Sequence, residues 1–215
     1  MNRRILVTLT ALVAVLVFAG GAYYYADQQK KSAAVLTIED TALVRPHSPV
    51  LGKADAPVTI VEFFDPSCEA CRAFFPLVKQ ILATYPEDVR VVIRYTPFHE
   101  GSDEAVRILE AARKQDKFEA VLAALVEKQP EWAIHGQPDL KRAWSIAGDA
   151  GLELMGARLA SVKPEVDEVL RIDVADVKAN RVEQTPTFFV NGKPLLNFSE
   201  QGLLDLVKGE ISPRS

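Results

Sequence analysis

The sequence predicts an α/β domain with a block of helices in its middle, carried behind an apolar N-terminal segment. Three observations predict it. Val58-Thr59-Ile60-Val61-Glu62-Phe63-Phe64 and Val89-Arg90-Val91-Val92-Ile93-Arg94-Tyr95 are rich in β-branched and aromatic residues and read as buried strands. Between them, residues 69–85 put Phe74, Leu77, Val78, Ile81 and Leu82 on one face of a helix. A strand, a helix of this length and a second strand make a βαβ unit with parallel pairing and a right-handed crossover. Towards the C-terminus, Phe188-Phe189-Val190 and Lys193-Pro194-Leu195-Leu196 flank Asn191-Gly192, the dipeptide of a tight hairpin turn.

The chain opens with Arg3 and Arg4, then an apolar run from Ile5 to about Ala22, and then Tyr23, Tyr24 and Tyr25. A run of about 18–20 apolar residues spans a bilayer, and interfacial tyrosines suit its outer end. A membrane anchor over residues 1–26 is expected; Gly20 and Ala22 also fit the cleavage site of a signal peptide. Either way the rest of the chain lies outside the cytoplasm, since Arg3 and Arg4 favour a cytoplasmic N-terminus. Residues 27–41 read as a tether and 42–210 as the folded domain. Within its lead-in, Pro46, Pro49, Gly52 and Pro57 break helices, and Ala42 to Arg45 suit a short strand. Residues from about 102 to 180 read as several helices, with Ala105, Ile108, Leu109 and Ala112 forming one apolar stripe and Phe118, Val121, Leu122 and Leu125 another. Trp132 and Trp144 are expected in the core of that block. Glu200 to Lys208 form the last helix.

Composition narrows the function. The 215 residues are 48% hydrophobic with a net charge of −4, which gives no electrostatic reason to expect nucleic acid as a partner. There are 2 cysteines, Cys68 and Cys71, in Cys68-Glu69-Ala70-Cys71. A bridge between them closes so short a loop that it restrains the unfolded chain little, so reactivity explains the pair better than stability. Cys68 is placed at a helix N-terminus, where backbone N–H groups stabilise a thiolate; it is expected to be exposed and to attack. Cys71, one turn on and deeper, would resolve the mixed disulfide. A zinc site needs two further soft ligands, and His47, His99 and His135 are scattered, so no metal or cofactor is expected.

Two further elements accompany the cysteines. Glu62 lies within a strand six residues before Cys68, where burial would raise its pKa and fit it to exchange a proton with Cys71. A carboxylate on a solvent-facing strand edge is the alternative. Thr185-Pro186-Thr187 precedes a strand, where a cis X–Pro bond, or an ordinary trans turn, redirects the chain. His99 follows Pro97 and Phe98 and reads as a solvated loop histidine near the mouth of the site.

Glu62-Phe63-Phe64, Cys68-Glu69-Ala70-Cys71, Pro76 and Thr185-Pro186-Thr187 together resemble the DsbA-like thiol–disulfide oxidoreductases of the thioredoxin-fold superfamily. The resemblance covers about residues 42–208 and implies the β-α-β … β-β-α thioredoxin fold with a helical insertion. It also implies Cys68, Cys71, Glu62, Thr185 and Pro186 as site residues, with Pro186 facing the cysteines in cis. Family members often carry proline and histidine or an aromatic residue between the cysteines. Here Glu69 and Ala70 stand there, and a carboxylate beside Cys68 opposes its ionisation. Gln184 replaces a glycine often found before the Thr-Pro.

Three functions are compatible. The first forms or isomerises disulfides in exported cysteine-containing proteins. The second is a reductase fed by a membrane redox partner, towards which Glu69 and Thr185 lean. The third is a tethered binding module or chaperone whose cysteines are dispensable.

Overall fold

A computed structural model describes residues 42–211. The expected membrane segment (1–26) and tether (27–41) lie outside these residues. Among the described residues, no helix is long and apolar enough to cross a membrane.

After a short strand β1 (Val50–Gly52), the expected β-α-β unit forms from β2 (Val58–Phe64), α1 (Glu69–Thr84) and β3 (Val89–Tyr95). Helices α2 (Ser102–Arg113), α3 (Phe118–Glu127), α4 (Gln129–Trp132), α5 (Leu140–Asp149), α6 (Leu154–Ser161) and α7 (Pro164–Ala179) make the insertion. The chain then returns through β4 (Thr187–Val190), β5 (Lys193–Pro194) and α8 (Glu200–Glu210). The sheet order is β1-β3-β2-β4-β5, with β2 and β3 parallel and the other pairs antiparallel. This is a mixed α/β thioredoxin-like fold.

Two short elements differ from expectation. Residues 42–45 form no strand: Ala42 and Leu43 lie in a turn, and Arg94 holds their carbonyls with its guanidinium at 2.7 Å each. The edge strand comes later, at Val50–Gly52, where it pairs with β3 and ends at Gly52, φ +82°. The second hairpin strand is only Lys193–Pro194, followed by one further bond across the hairpin, from Leu195 N–H to the Phe188 carbonyl at 2.9 Å. The turn itself is as read, with Asn191 and Gly192 both at positive φ (47° and 80°).

The sheet has two unlike faces, set by the alternation of side chains along each strand. Val58, Ile60, Phe64, Val91, Ile93, Tyr95, Phe188 and Val190 pack in one large core with α1, α8 and the helical insertion. Trp132 and Trp144 are buried in it as expected, and Trp132 Nε1 donates to the Leu125 carbonyl at 2.8 Å. Val61, Phe63 and Val92 face the other way and meet Leu43, Val177 and Val182. That second face also buries Arg94, which donates to Asp173 Oδ1 (2.8 Å) and Asp176 Oδ2 (2.6 Å) of α7.

Candidate active site

β2 and α1 are joined by Asp65-Pro66-Ser67, and Cys68 is the residue that caps α1. Its backbone is extended (φ −79°, ψ 124°), so the helix begins immediately after it. The Cys68 N–H donates to the Asp65 carbonyl at 3.1 Å, and the Cys68 carbonyl takes the first helical bond, from Arg72 N–H at 3.1 Å. One turn on, Cys71 is wholly buried, and the Asp65 N–H points at its sulfur from 3.5 Å. Both cysteines are thiols here. Pro76 sits inside α1 and leaves the Arg72 carbonyl without its helical donor.

Cys68 is not open to solvent as expected; only 6% of its surface is exposed. The reason lies across the site. The Thr185–Pro186 peptide is cis, and the Thr185 carbonyl accepts a hydrogen bond from Cys68 Sγ at 3.2 Å. From the insertion, the buried Gln129 Nε2 donates to the Pro66 carbonyl (2.8 Å) and the Cys68 carbonyl (3.0 Å). Cys68 is therefore roofed by one segment and braced by another.

The two thiols are driven apart in acidity. A hydrogen bond from Cys71 outweighs the cost of burial and, with bonding from the Thr185 side chain and the backbone at Ala70 and Cys71, brings Cys68 down to about 5. Burial pushes Cys71 far above the usual thiol range, and its bond to Cys68 and the charge on Glu62 add to that. The outer thiol is thus the one whose thiolate is favoured, and the inner one is held protonated. Glu62 lies on the α1 face of the sheet and is 2% exposed, so the solvent-facing alternative does not apply. Burial pushes its carboxyl up to about 8, with the charge of Cys68 as a smaller contribution.

The carboxylate between the cysteines has a partner in the insertion. Glu69 Oε1 pairs with His135 Nε2 at 2.8 Å, and that bond holds its pKa below the usual carboxylate value. The largest influences that lower the Cys68 pKa are hydrogen bonds, led by the one from Cys71.

Sequence reading missed Asp65. Its carboxylate is fully buried and accepts from Ser67 N–H (2.8 Å), Ser102 Oγ (2.5 Å), Phe98 N–H (2.8 Å), His99 N–H (3.0 Å) and His99 Nδ1 (2.7 Å). His99 is thus a fixed member of the site's wall rather than a solvated loop histidine. An acid placed directly after a buried strand, before Pro-Ser-Cys, is the signal that marked it. Gln129 carried no such signal, because only the folding of the insertion brings it to the Cys68 turn.

The chain matches the thioredoxin family over residues 45–208. It is 31% identical over 169 residues to disulfide bond formation protein D of Bacillus subtilis, covering 71% of each chain. It is also 30% identical over 160 residues to the Na(+)/H(+) antiporter NhaA 1 of Mycolicibacterium gilvum, an alignment that takes in 70% of this chain and 25% of the antiporter. The chain thus spans about a quarter of the length of the antiporters it matches. Among solved structures, a thioredoxin-like oxidoreductase from Silicibacter pomeroyi superposes with a TM-score of 0.68 at 32% identity, covering 77% of this chain and 92% of that one. The matched region contains the cysteine pair, the buried glutamate and the cis-proline segment, and the chain belongs to the thioredoxin superfamily, in its DsbA-like branch of thiol–disulfide oxidoreductases.

Proposed function

We propose that this chain forms or isomerises disulfides in exported cysteine-containing proteins, through Cys68 and Cys71, on the outer side of a membrane to which its N-terminal segment tethers it. The observation that carries the proposal is that Cys68 caps α1 beneath the cis Thr185–Pro186 segment with Cys71 buried one turn on and Glu62 buried in β2, an arrangement that holds Cys68 at about 5 and Cys71 far above it. A stabilised Cys68 thiolate favours the reduced enzyme and so makes the disulfide a better oxidant.

In the forming direction, a substrate thiolate attacks Cys68 Sγ of the enzyme disulfide. The S–S bond to Cys71 breaks, and the departing Cys71 sulfur takes a proton from Glu62, whose pKa matches that task near neutral pH. A second substrate thiolate then attacks the substrate sulfur of the mixed disulfide, and Cys68 leaves as a thiolate. The substrate loses two electrons, the Cys68–Cys71 pair gains them, and Glu62 is reprotonated from solvent. A membrane redox partner would return the pair to the disulfide. Thr185 and Pro186 form the wall against which a substrate segment would lie, since the Thr185 carbonyl already meets Cys68 Sγ. Glu69 and Thr185 still lean towards the reductase direction, although the Glu69 carboxylate is paired with His135 at 2.8 Å.

Two variants test the reading. Cys71→Ser retains the attacking sulfur and should accumulate mixed disulfides with substrate proteins, whereas Cys68→Ser should exchange none. A Cys71→Ser protein that traps nothing in any redox buffer would remove the proposed roles.

A further inference from the structure

The dipeptide between the cysteines is Glu69-Ala70, and neither residue can offset negative charge on Cys68. The compensating group comes from elsewhere in the fold. Asp65 is bound to three parts of the site at once: its carbonyl accepts from Cys68 N–H (3.1 Å), its N–H faces Cys71 Sγ (3.5 Å), and its carboxylate holds His99 Nδ1 (2.7 Å). On its far side, the His99 ring meets the His135 ring edge-on at a centroid distance of 6.0 Å. His135 in turn bonds Glu69, the residue after Cys68. His99 is therefore bracketed between the residue three before Cys68 and the partner of the residue one after it.

We propose that His99, fixed through Nδ1 by Asp65, is a positioning residue whose imidazolium supplies the positive charge that stabilises the Cys68 thiolate. The inference rests on the thiol–disulfide reading above. Because the Asp65 carboxylate receives Nδ1, the titrating nitrogen is Nε2, on the part of the ring that is open: the side chain is 32% exposed. The charged groups facing the ring are Asp65 from the β2–α1 turn, Cys68 and Glu69 at the start of α1, and His135 from the α4–α5 loop; Glu100 is its exposed chain neighbour. Burial works against the protonated ring, but its bond to Asp65 and the charges of Asp65, Cys68 and Glu69 outweigh burial and hold its pKa above the usual histidine value. His99 is thus cationic over the range where Cys68 ionises, and loses that charge only as pH rises through its raised pKa.

The test uses the reduced full chain in detergent, with alkylation of Cys68 by iodoacetamide followed against pH. His99→Gln keeps an N–H for Asp65 and removes the charge; His99→Lys keeps a charge without the ring. The wild-type rate is expected to titrate near 5. His99→Gln should move that midpoint up by about one unit, as loss of one nearby opposite charge does. The equilibrium constant for reduction by glutathione should fall about tenfold with it. The difference in the glutathione equilibrium should shrink as pH rises through the raised pKa of His99. His99→Lys should restore the low midpoint. Wild-type behaviour in His99→Gln overturns the inference alone, as does an equal, pH-independent loss in both variants, the mark of a merely structural residue. A wild-type chain that neither alkylates below pH 7 nor exchanges with glutathione overturns the thiol–disulfide reading and this inference with it.

Discussion

Two neighbouring strands bury charged residues on opposite faces of one sheet, and the two are treated differently. Phe63 of β2 stands opposite Arg94 of β3, and Glu62 opposite Ile93, so Glu62 and Arg94 point to different sides. Arg94 is met by Asp173, Asp176 and two carbonyls. Burial works against an ionised Asp176, but its bonds to Arg45 and Arg94 outweigh it and hold its pKa below the usual value. Glu62 is equally buried, and burial drives its pKa up to about 8. A buried ion surrounded by opposite charge stays ionised and ties segments together, here the lead-in at Ala42 and Leu43 to α7. A buried acid without such a partner titrates near neutrality and is free to exchange a proton.

The largest effect expected from breaking this contrast is at Arg94. Arg94→Met leaves two aspartates on α7 without their shared counter-ion and should lower stability by about 3–5 kcal/mol. Urea unfolding of wild type and variant measures it, and a loss under about 1 kcal/mol would show that the cluster is dispensable. The exchange chemistry on the other face should persist in whatever fraction stays folded.

Glu62→Gln should act through pH rather than through a uniform loss. In the fold Glu62 keeps its proton up to about 8, whereas the unfolded chain releases it near 4.5. Between those values folding takes up a proton, so stability falls by about 1.4 kcal/mol per pH unit as pH rises. Cys68 contributes the opposite slope in the reduced protein, since its pKa is lowered from 9.0 to about 5 and its stabilisation grows over that range. The two nearly cancel in the dithiol. In the disulfide form the Cys68 contribution is gone and the Glu62 slope remains. Stability curves of the oxidised wild type and Glu62→Gln should therefore diverge from about pH 5 to pH 8, and parallel curves would remove the raised pKa. Turnover in Glu62→Gln should also be slower, with an altered pH–rate profile.

The smallest effect is expected at Glu69. Its pair with His135 is well exposed on both sides, and such pairs contribute about 0–1 kcal/mol. Glu69→Gln should change thermal stability by less than that and leave the Cys68 alkylation midpoint within about half a unit. A larger drop in the midpoint would mean that the carboxylate does oppose the thiolate, as the sequence suggested.

What could be read from the chain follows from how local each feature is. β2 and β3 fall at the expected residues because six of the seven residues in β2 and five of the seven in β3 are β-branched or aromatic. Helix α1 agrees to within a residue because its apolar stripe is continuous. The edge strand was misplaced because Arg45 and Pro46 lie where a buried arginine from β3 claims the carbonyls of Ala42 and Leu43, a contact between residues some fifty positions apart. In the site, the spacing of Glu62, Cys68, Cys71 and Pro186 was legible. The burial of Cys68 was not, because its roof comes from Thr185 and its brace from Gln129. The pairing of Glu69 was hidden for the same reason, since its partner His135 belongs to the insertion.

Redox equilibration of the full chain with glutathione, read as the fraction of Cys68–Cys71 disulfide, is the most direct test of the proposed chemistry. A Cys68 held near 5 predicts a reduction potential in the oxidising class, about −120 to −180 mV. A value near −270 mV, or no disulfide at any ratio of reduced to oxidised glutathione, would contradict it.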